Sequence, residues 1–267
     1  MHLLIKTKLI LLFILFISIN SFANPLPTNH FSNLEKNSAY VRANFLAKMK
    51  VPFKPKGKKK ALIIGDSHAQ DFLNGIVENH YLSNYQISTR YIPTRCQIYL
   101  SDNMARYIKT QDKTLCAKSD NLFHAKDQIS KADLIILVAS WKEWAAKELP
   151  QTIKNLNLTP QQKLLVIGRK SFSKTLVKNF QELPREKLLK MRNKVDEHQT
   201  KINKIMKQSL TKDTFIDIHQ IVCGTSNTCP VFTDSLKLIS FDGGHLSKDG
   251  ARYVVRVLFQ GSQLSKL

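Results

Sequence analysis

The 267-residue sequence lacks internal repeats, and its longest low-complexity block is the lysine run at positions 58–60. It also lacks the strongly polar composition of a disordered chain, because 43% of its residues are hydrophobic and only 23% are charged. Wholesale disorder is therefore excluded. The length indicates one α/β domain of about 200 residues preceded by an N-terminal extension.

Long apolar runs are also lacking, except for one at the N-terminus. Lys6 and Lys8 precede the apolar run 9–19, and small residues follow it at positions 21–23. This order predicts a secretory signal peptide over residues 1–23, cleaved after Ala23. The run is too short to span the roughly 30 Å hydrocarbon layer of a membrane, and no cysteine follows it to carry a lipid. We therefore expect a periplasmic or secreted protein.

Cysteine is scarce, and the four that occur are Cys96, Cys116, Cys223 and Cys229. In an exported chain this even number predicts two disulfides, for which the sequence permits three pairings. The local pairs Cys96–Cys116 and Cys223–Cys229 are favoured because each closes a loop between predicted regular elements. A Cys-x-x-Cys motif is absent, and the sequence shows no histidine at metal-ligand spacing beside them, so we expect no metal.

Acidic residues are few. The chain has 41 lysines and arginines against 20 aspartates and glutamates, a formal charge of +21, of which +19 remains without Lys6 and Lys8 of the signal peptide. Such a surface attracts polyanions. Outside the cytoplasm these would be anionic glycans, envelope phosphates or lipid head groups. The charge comes without a nucleic-acid recognition motif, so we expect no nucleic-acid partner.

The distribution of apolar residues predicts the domain organisation. Residues 24–59 are polar, basic and contain prolines, which predicts a tether with at most a short helix near residues 38–49, and the domain is expected at 60–267. Strand-length apolar runs alternate with helix-length stretches: the runs are 61–64, 86–92, 133–139, 163–167 and 214–218, and the stretches are 69–79, 121–131, 142–155, 185–210 and 249–259. This alternation predicts a parallel sheet of about five strands with helices on both faces.

A serine follows the first predicted strand in the motif Gly65-Asp66-Ser67-His68. At such a turn the Ser67 hydroxyl would be exposed at the sheet edge where open α/β sheets bind ligands. Its backbone N–H would lie at a helix N-terminus, where partial positive charge stabilises an oxyanion. Gly65 permits the turn, and the Asp66 carboxylate can hold it. The same residues also suit an ordinary helix cap, so this motif alone does not decide the function.

A second polar motif lies just ahead of the last predicted helix. Asp242 and His245 are three residues apart in a glycine-containing loop. A serine hydroxyl is a weak nucleophile until a base removes its proton, and imidazole is suited to this near neutral pH. A carboxylate commonly holds the imidazole in one tautomer. The two motifs together therefore predict a triad of Ser67, His245 and Asp242.

These motifs also carry a family resemblance. GDSHA at 65–69 resembles the first conserved block of the SGNH (GDSL-like) hydrolases, and DGGHLS at 242–247 resembles their last block. The residues of these two motifs are most similar to those of the SGNH domains associated with membrane acyltransferases that O-acetylate bacterial envelope glycans. Membership implies a three-layer α/β/α, flavodoxin-like fold, with Ser67 as nucleophile, His245 as base and Asp242 as orienting acid.

The sequence departs from that family pattern at two places. The family generally completes its oxyanion hole with a glycine and an asparagine from its second and third blocks, but residues 91–100 contain no glycine and residues 139–144 no asparagine. Loss of one such donor can cost about 10²–10³-fold in rate. The tryptophan after the third predicted strand resembles the envelope-acylation subgroup, which makes Ser140 and Trp141 candidate substrate-lining residues, and His68 is a further candidate because it adjoins Ser67.

The sequence thus predicts an exported serine esterase or O-acyltransferase that acts on O-acyl groups, acetyl by resemblance, of a cell-envelope polysaccharide. The reaction would pass through an acyl-serine and needs no cofactor. Water as acceptor gives an esterase and a sugar hydroxyl gives a transferase. Transfer would require a separate membrane protein as acyl donor, because this chain shows no multi-helix membrane part.

Two other functions remain open from the sequence. The missing glycine and asparagine favour a non-catalytic glycan-binding accessory module on the same fold. Asp66-x-His68 matches the opening ligands of metallophosphoesterases. That class needs further ligand motifs, however, and the sequence has neither an Asn-His-Glu motif nor a second histidine beside His245.

Overall fold

The computed structural model describes residues 34–101, 106–174, 180 and 183–267, with side chains described from residue 40 onward. The predicted signal peptide, 1–23, and residues 24–33 of the predicted extension lie outside the described residues. Within the described ranges, no helix combines the length and the apolar composition that a bilayer-spanning segment needs.

Five parallel strands form the main sheet, as the sequence predicts. They are β1 (Lys59–Gly65), β2 (Tyr85–Tyr91), β3 (Leu134–Val138), β4 (Lys163–Ile167) and β6 (Phe215–Ile216). Their spatial order is β2-β1-β3-β4-β6, and every neighbouring pair is parallel. This is the strand order of a flavodoxin-like, doubly wound sheet. Two short antiparallel strands, β5 (Arg192–Lys194) and β7 (Thr228–Pro230), form a separate sheet.

Helices cover both faces of the main sheet. In the described residues they are α1 (Leu34–Leu46), α2 (Ser67–Glu78), α3 (Lys113–Lys118), α4 (Leu122–Ser130), α5 (Glu143–Lys147), α6 (Leu149–Leu156), α7 (Arg185–Leu189), α8 (Glu197–Ser209), α9 (Ile218–Cys223) and α10 (Lys248–Gly261), with 3₁₀ turns at Thr110–Asp112 and Gln263–Lys266.

Strand β1 divides the core into two layers because its side chains alternate between the sheet faces. Ala61 and Ile63 pack with α2 and α10 in one apolar cluster. Leu62 and Ile64 pack with α4, α5 and α6 in the other. The predicted three-layer α/β/α architecture is therefore confirmed.

The sheet reverses its strand order between β1 and β3, because β2 lies on one side of β1 and the later strands lie on the other. In open α/β sheets, ligands bind outside the carboxyl ends of the strands at such a point. The residues that follow β1 and β3 are therefore the ones expected to form a site.

Two predicted helices are wrong in their extent. The stretch 185–210 is not one helix, because it contains α7, strand β5 and α8. The interruption has one cause distant in the sequence and one local cause: the Arg192 side chain donates to Thr228 of β7, and Asp196 caps α8 by accepting from the N–H of His198. The stretch 142–155 likewise divides into α5 and α6, with Pro150 in the first turn of α6.

The N-terminal segment is packed against the domain over part of its length. Phe45 of α1 is fully buried in the core, and its carbonyl accepts a 2.7 Å hydrogen bond from Thr89 Oγ1 of β2. Met49 then forms a parallel bridge with Thr89. The sequence predicts a tether with at most a short helix near residues 38–49; that helix is α1, and it packs on the domain instead of standing apart from it. The polar, basic composition of the segment gives no sign that Phe45 is buried.

Both disulfides are local ones. Cys96 pairs with Cys116 and Cys223 with Cys229, at Cα–Cα separations of 5.3 Å and 4.5 Å. The first joins the loop after β2 to α3, and the second joins the end of α9 to β7. Together they form the pairing that the sequence favours among the three it permits.

Candidate active site

The turn between β1 and α2 positions Ser67. Gly65 ends β1 against β3, where a Cβ atom would lie 1.7 Å from the carbonyl oxygen of Val138, so only glycine fits. Ser67 is the first residue of α2. Its backbone N–H therefore belongs to the first helical turn, whose N–H groups have no acceptor within the helix and carry partial positive charge. Ser67 therefore lies at a helix N-terminus, which is the location that the sequence predicts for it.

The buried Asp66 carboxylate holds this turn by accepting hydrogen bonds from three chain segments. It is fully buried, and its Oδ1 accepts from the N–H of His68 at 2.9 Å. Its Oδ2 accepts from Thr94 Oγ1 at 2.7 Å and from the N–H of Ser140 at 2.9 Å. One carboxylate thus joins the chain segments that follow β1, β2 and β3.

The loop ahead of α10 brings Asp242 and His245 to Ser67. His245 Nε2 lies 2.9 Å from Ser67 Oγ, and His245 Nδ1 lies 2.6 Å from Asp242 Oδ2. Because the carboxylate can only accept, Nδ1 carries the proton and Nε2 is left to accept from the serine hydroxyl. The three side chains that the sequence predicts as a triad therefore form one hydrogen-bonded array.

Hydrogen bonds within the loop hold the array in shape. Asp242 Oδ1 accepts from the N–H groups of Gly244 and His245 at 2.8 and 2.7 Å. Ser240 Oγ donates to the carbonyl of His245 and accepts from the N–H of Gly243. Gly243 has a φ of +83°, and a Cβ there would lie 2.5 Å from the backbone of Ser173. The loop conformation therefore requires glycine at this position.

The array changes the proton affinity of both ionisable members. The hydrogen bond to Asp242 raises the pKa of His245 above its ordinary value, although partial burial acts in the opposite direction. Burial alone would raise the pKa of Asp242. The hydrogen bonds it accepts from His245 and Gly244 outweigh that effect and hold the Asp242 pKa well below its usual range. Asp242 therefore stays ionised while the His245 ring exchanges its proton.

A cleft of about 570 Å³ opens in front of the array. Ser67, His245 and Asp242 line it together with side chains from the N-terminal helix, the end of β2 and the loop before α10: Val41, Arg42, Leu46, Met49, Gln70, Tyr91, Phe241, Leu246 and Ser247. Its size lies within the range of small-molecule sites, which is about 300–1,000 Å³. The contribution of α1 to this cleft was missed from the sequence.

The three predicted substrate-lining residues lie outside the lining of this cleft. Trp141 is fully buried in the core, where its Nε1 donates to the carbonyl of Ile167 at 2.8 Å, so the prediction that it lines the site is corrected. His68 is also buried beneath the turn. Burial, and then the charges of Lys170 and Arg169, lower the pKa of His68 well below its ordinary value, so that ring is neutral. Ser140 is half-buried and supports Asp66 through its backbone.

Gln97 lies in the segment 91–100, where the glycine of the family's second block would be expected. It is buried with a φ of +63°. Its Nε2 donates to the carbonyls of Thr94 and Ser140, and its Oε1 accepts from the N–H of Lys142. This amide fixes the turns after β2 and β3 to each other. The Gln97 amide therefore lies beside the turn after β3, where the family would have its asparagine, although Gln97 belongs to the segment after β2.

The structure does not support the metal-site alternatives. Both oxygens of Asp66 accept hydrogen bonds from protein N–H and O–H groups, which leaves Asp66 unsuited as the opening metal ligand. The fold does bring His219 Nδ1 within 3.6 Å of Cys229 Sγ, so the expectation that no histidine lies beside the cysteines is corrected, whereas the absence of a metal stays an expectation. Cys223 and Cys229 are bonded to each other, however, and thiolates are the species that bind metals.

The fold and this array define the class of protein. It is a doubly wound α/β domain with serine, histidine and aspartate joined at one sheet edge, the arrangement used for acyl transfer through serine. The chain belongs to the SGNH family: the model for the SGNH domain that is fused to AT3 domains matches residues 37–260, which includes most of α1. The chain is therefore of the esterase and acyltransferase kind.

Solved structures of similar proteins include two bacterial proteins. The C-terminal catalytic domain of peptidoglycan O-acetyltransferase A from Streptococcus pneumoniae, solved with a methylsulfonyl adduct, is 11% identical over 79% of this chain and 96% of its own, with a TM-score of 0.36. An extracellular lipase from Streptomyces rimosus is 12% identical over 76% of this chain and 100% of its own, with a TM-score of 0.40. No curated protein matches the sequence.

The contact between Asp242 and His245 makes a prediction about proton binding. We expect the imidazole of His245 to titrate above pH 6.5, because the hydrogen bond to Asp242 stabilises the protonated ring. In Asp242→Asn this stabilisation is lost and the pKa should fall. NMR titration of the histidine ring protons measures both values. The exposed His198 on α8 serves as control. Equal His245 titration in the two proteins would contradict the interpretation.

Proposed function

We propose that this protein is an exported serine esterase or O-acyltransferase that acts on O-acyl groups of a cell-envelope polysaccharide. The observation that carries the proposal is the pair of contacts from Ser67 Oγ through His245 to Asp242, at 2.9 Å and 2.6 Å, beside an open cleft. Ser67 is the proposed nucleophile, His245 the general base and Asp242 the residue that orients it. Acetyl is the acyl group that the family resemblance suggests.

The geometry supports a two-step reaction. Ser67 Oγ attacks the acyl carbonyl carbon while its proton passes to His245 Nε2, which gives a tetrahedral oxyanion near the N-terminus of α2. The bond from the acyl carbon to its leaving group then breaks, and the leaving group takes the proton from His245; the leaving group is the sugar oxygen in hydrolysis and belongs to the membrane acyl donor in transfer. The resulting acyl-serine is cleaved by a second acceptor that His245 deprotonates. Water as acceptor gives hydrolysis, and a sugar hydroxyl gives transfer.

Two features support the proposed location and partner. The predicted signal peptide at 1–23 and the two disulfides suit an oxidising compartment such as the periplasm. The family is defined by domains fused to AT3 domains, which supports a membrane acyltransferase as acyl donor if the reaction is transfer. The basic surface suits an anionic envelope glycan.

The nucleophile prediction is tested by hydrolysis of p-nitrophenyl acetate. We expect Ser67→Ala to lower the rate above background by about 10³-fold or more, because the acyl-serine cannot form. Ser140→Ala, a nearby serine whose backbone rather than side chain holds Asp66, is the matched control. If Ser67→Ala keeps the wild-type rate, the proposed function is wrong.

The same assay distinguishes hydrolysis from transfer when a neutral oligosaccharide is added as acceptor. Mass spectrometry would then detect an acetylated oligosaccharide only if a sugar hydroxyl competes with water for the acyl-serine. A non-catalytic glycan-binding module would give neither free acetate nor acetylated product above the Ser67→Ala background. That result would favour the accessory-module alternative.

A further inference from the structure

One wall of the cleft in front of Ser67 comes from the N-terminal segment and is aliphatic apart from Arg42. Val41 and Leu46 of α1 and Met49 in the following turn lie on this wall. Leu46 and Met49 are 49% and 38% exposed. Among the described residues, these two are the exposed large apolar side chains that line the cleft. Apolar surface held open beside a reactive group is typical of a ligand-binding site.

The wall is fixed in place and is not a loose extension. Buried Phe45 packs edge-to-face on Tyr91 with ring centroids 6.5 Å apart. The N–H of Lys50 donates to the carbonyl of Thr89 at 2.9 Å, and the N–H of Thr89 donates to the carbonyl of Lys48 at 3.0 Å. These bonds tie the segment to β2.

A further contact ties α1 to the helix that carries Ser67. Asn44 Nδ2 donates to Asn74 Oδ1 of α2 at 3.0 Å, and Asn74 Nδ2 donates to the carbonyl of Val41 at 3.1 Å. The apolar wall therefore keeps a constant position relative to the nucleophile. A group bound on it would lie in a fixed place beside the ester.

We infer that this wall binds the hydrocarbon part of the acyl group, and that the preferred acyl chain is longer than acetyl. The inference rests on the proposed function and concerns its acyl group. An acyl chain begins at the carbon that Ser67 Oγ attacks and continues into the same cleft. Val41, Leu46 and Met49 offer no hydrogen-bond partners for sugar hydroxyls. The single methyl of acetyl would leave most of the roughly 570 Å³ unfilled.

The test is a series of p-nitrophenyl esters with acetyl, butyryl and hexanoyl groups. Burial of each methylene raises binding by up to about fourfold, so kcat/KM for hexanoate should exceed that for acetate by about tenfold or more. In the double variant Leu46→Ser/Met49→Ser the ratio of hexanoate to acetate should fall by about tenfold. Val51→Ser is the matched control, because Val51 is 45% exposed in the same segment but does not line the cleft.

The outcomes separate this inference from the proposed function. Hydrolysis that requires Ser67 but is fastest with acetate would overturn the inference and leave the proposed function intact. An unchanged hexanoate-to-acetate ratio in the double variant would also overturn it. Absence of Ser67-dependent hydrolysis with every ester would contradict both the inference and the proposed function.

A second, independent observation concerns the charged pair of Asp71 and Lys170 beneath the loop. Both side chains are buried, with Lys170 Nζ 2.8 Å from Asp71 Oδ2. Lys170 also donates to the carbonyl of Gly244, and Asp71 Oδ2 accepts from the N–H of Leu246 at 3.0 Å. The pair therefore holds the backbone on both sides of His245.

Asp71 also connects the His245 loop to the helix that carries Ser67. It lies four residues after Ser67 on α2, which is about one helical turn. Burial raises the pKa of Asp71, and the Lys170 ammonium and the Leu246 N–H oppose that rise. We propose that Asp71 and Lys170 are positioning residues, which set the distance between His245 Nε2 and Ser67 Oγ.

The test is the effect of Lys170→Met on kcat and KM for p-nitrophenyl acetate. Displacement of the base by about 1 Å can cost about 10²-fold, so kcat should fall by that factor while KM changes less than about threefold. Lys174→Met, an exposed lysine on the same loop, is the control. Because Lys170→Met leaves a buried carboxylate unpaired and can unfold the protein, the variant Asp71→Asn/Lys170→Met, which buries no charge, is measured as well. A folded double variant with kcat within about threefold of wild type would overturn the proposal.

Discussion

The hydrogen bond between Ser67 Oγ and His245 Nε2 joins side chains that are 178 positions apart in the chain. It forms only if α2, which begins at Ser67, lies close against α10, which follows the His245 loop. Gly75 of α2 makes this approach possible, because a Cβ there would lie 2.4 Å from the carbonyl of Ala251 in α10. The proposed chemistry thus depends on the packing of two helices on one face of the sheet. A larger residue at position 75 would separate nucleophile from base.

Two different sets of contacts surround the site: a buried polar network beneath the reacting groups and an apolar surface at one side. The floor of the site is polar and buried, since Asp66 and the Asp71–Lys170 pair satisfy backbone groups of the turns that present Ser67 and His245. Such networks are costly where a buried atom lacks a partner, as Asp71 Oδ1 does here, and in return they favour one arrangement of the turns. One side wall is aliphatic apart from Arg42, and it comes from an N-terminal helix anchored by Phe45. In our proposal the floor positions the reacting groups and the wall selects the acyl group.

Much of the fold could be predicted from the sequence because β1, β3 and β4 are continuous apolar runs and both parts of the site are short local motifs. The triad geometry could be anticipated because Asp242 and His245 share one loop and Ser67 ends the first strand. The break at 192–194 was missed because its cause is a cross-strand contact to Thr228. The Asp71–Lys170 pair was missed for a similar reason, since its partners meet only in the folded chain. Disulfide pairing was favoured correctly because both loops are short.

The central claim is that His245 activates one particular serine, and covalent labelling tests it most directly. A fluorophosphonate reacts with a serine hydroxyl that a neighbouring base has activated. We predict that mass spectrometry of the digested protein finds one adduct, on the peptide that contains Ser67, and that His245→Ala abolishes it. A folded protein that stays unlabelled, or that carries the adduct on a different serine, would contradict the account.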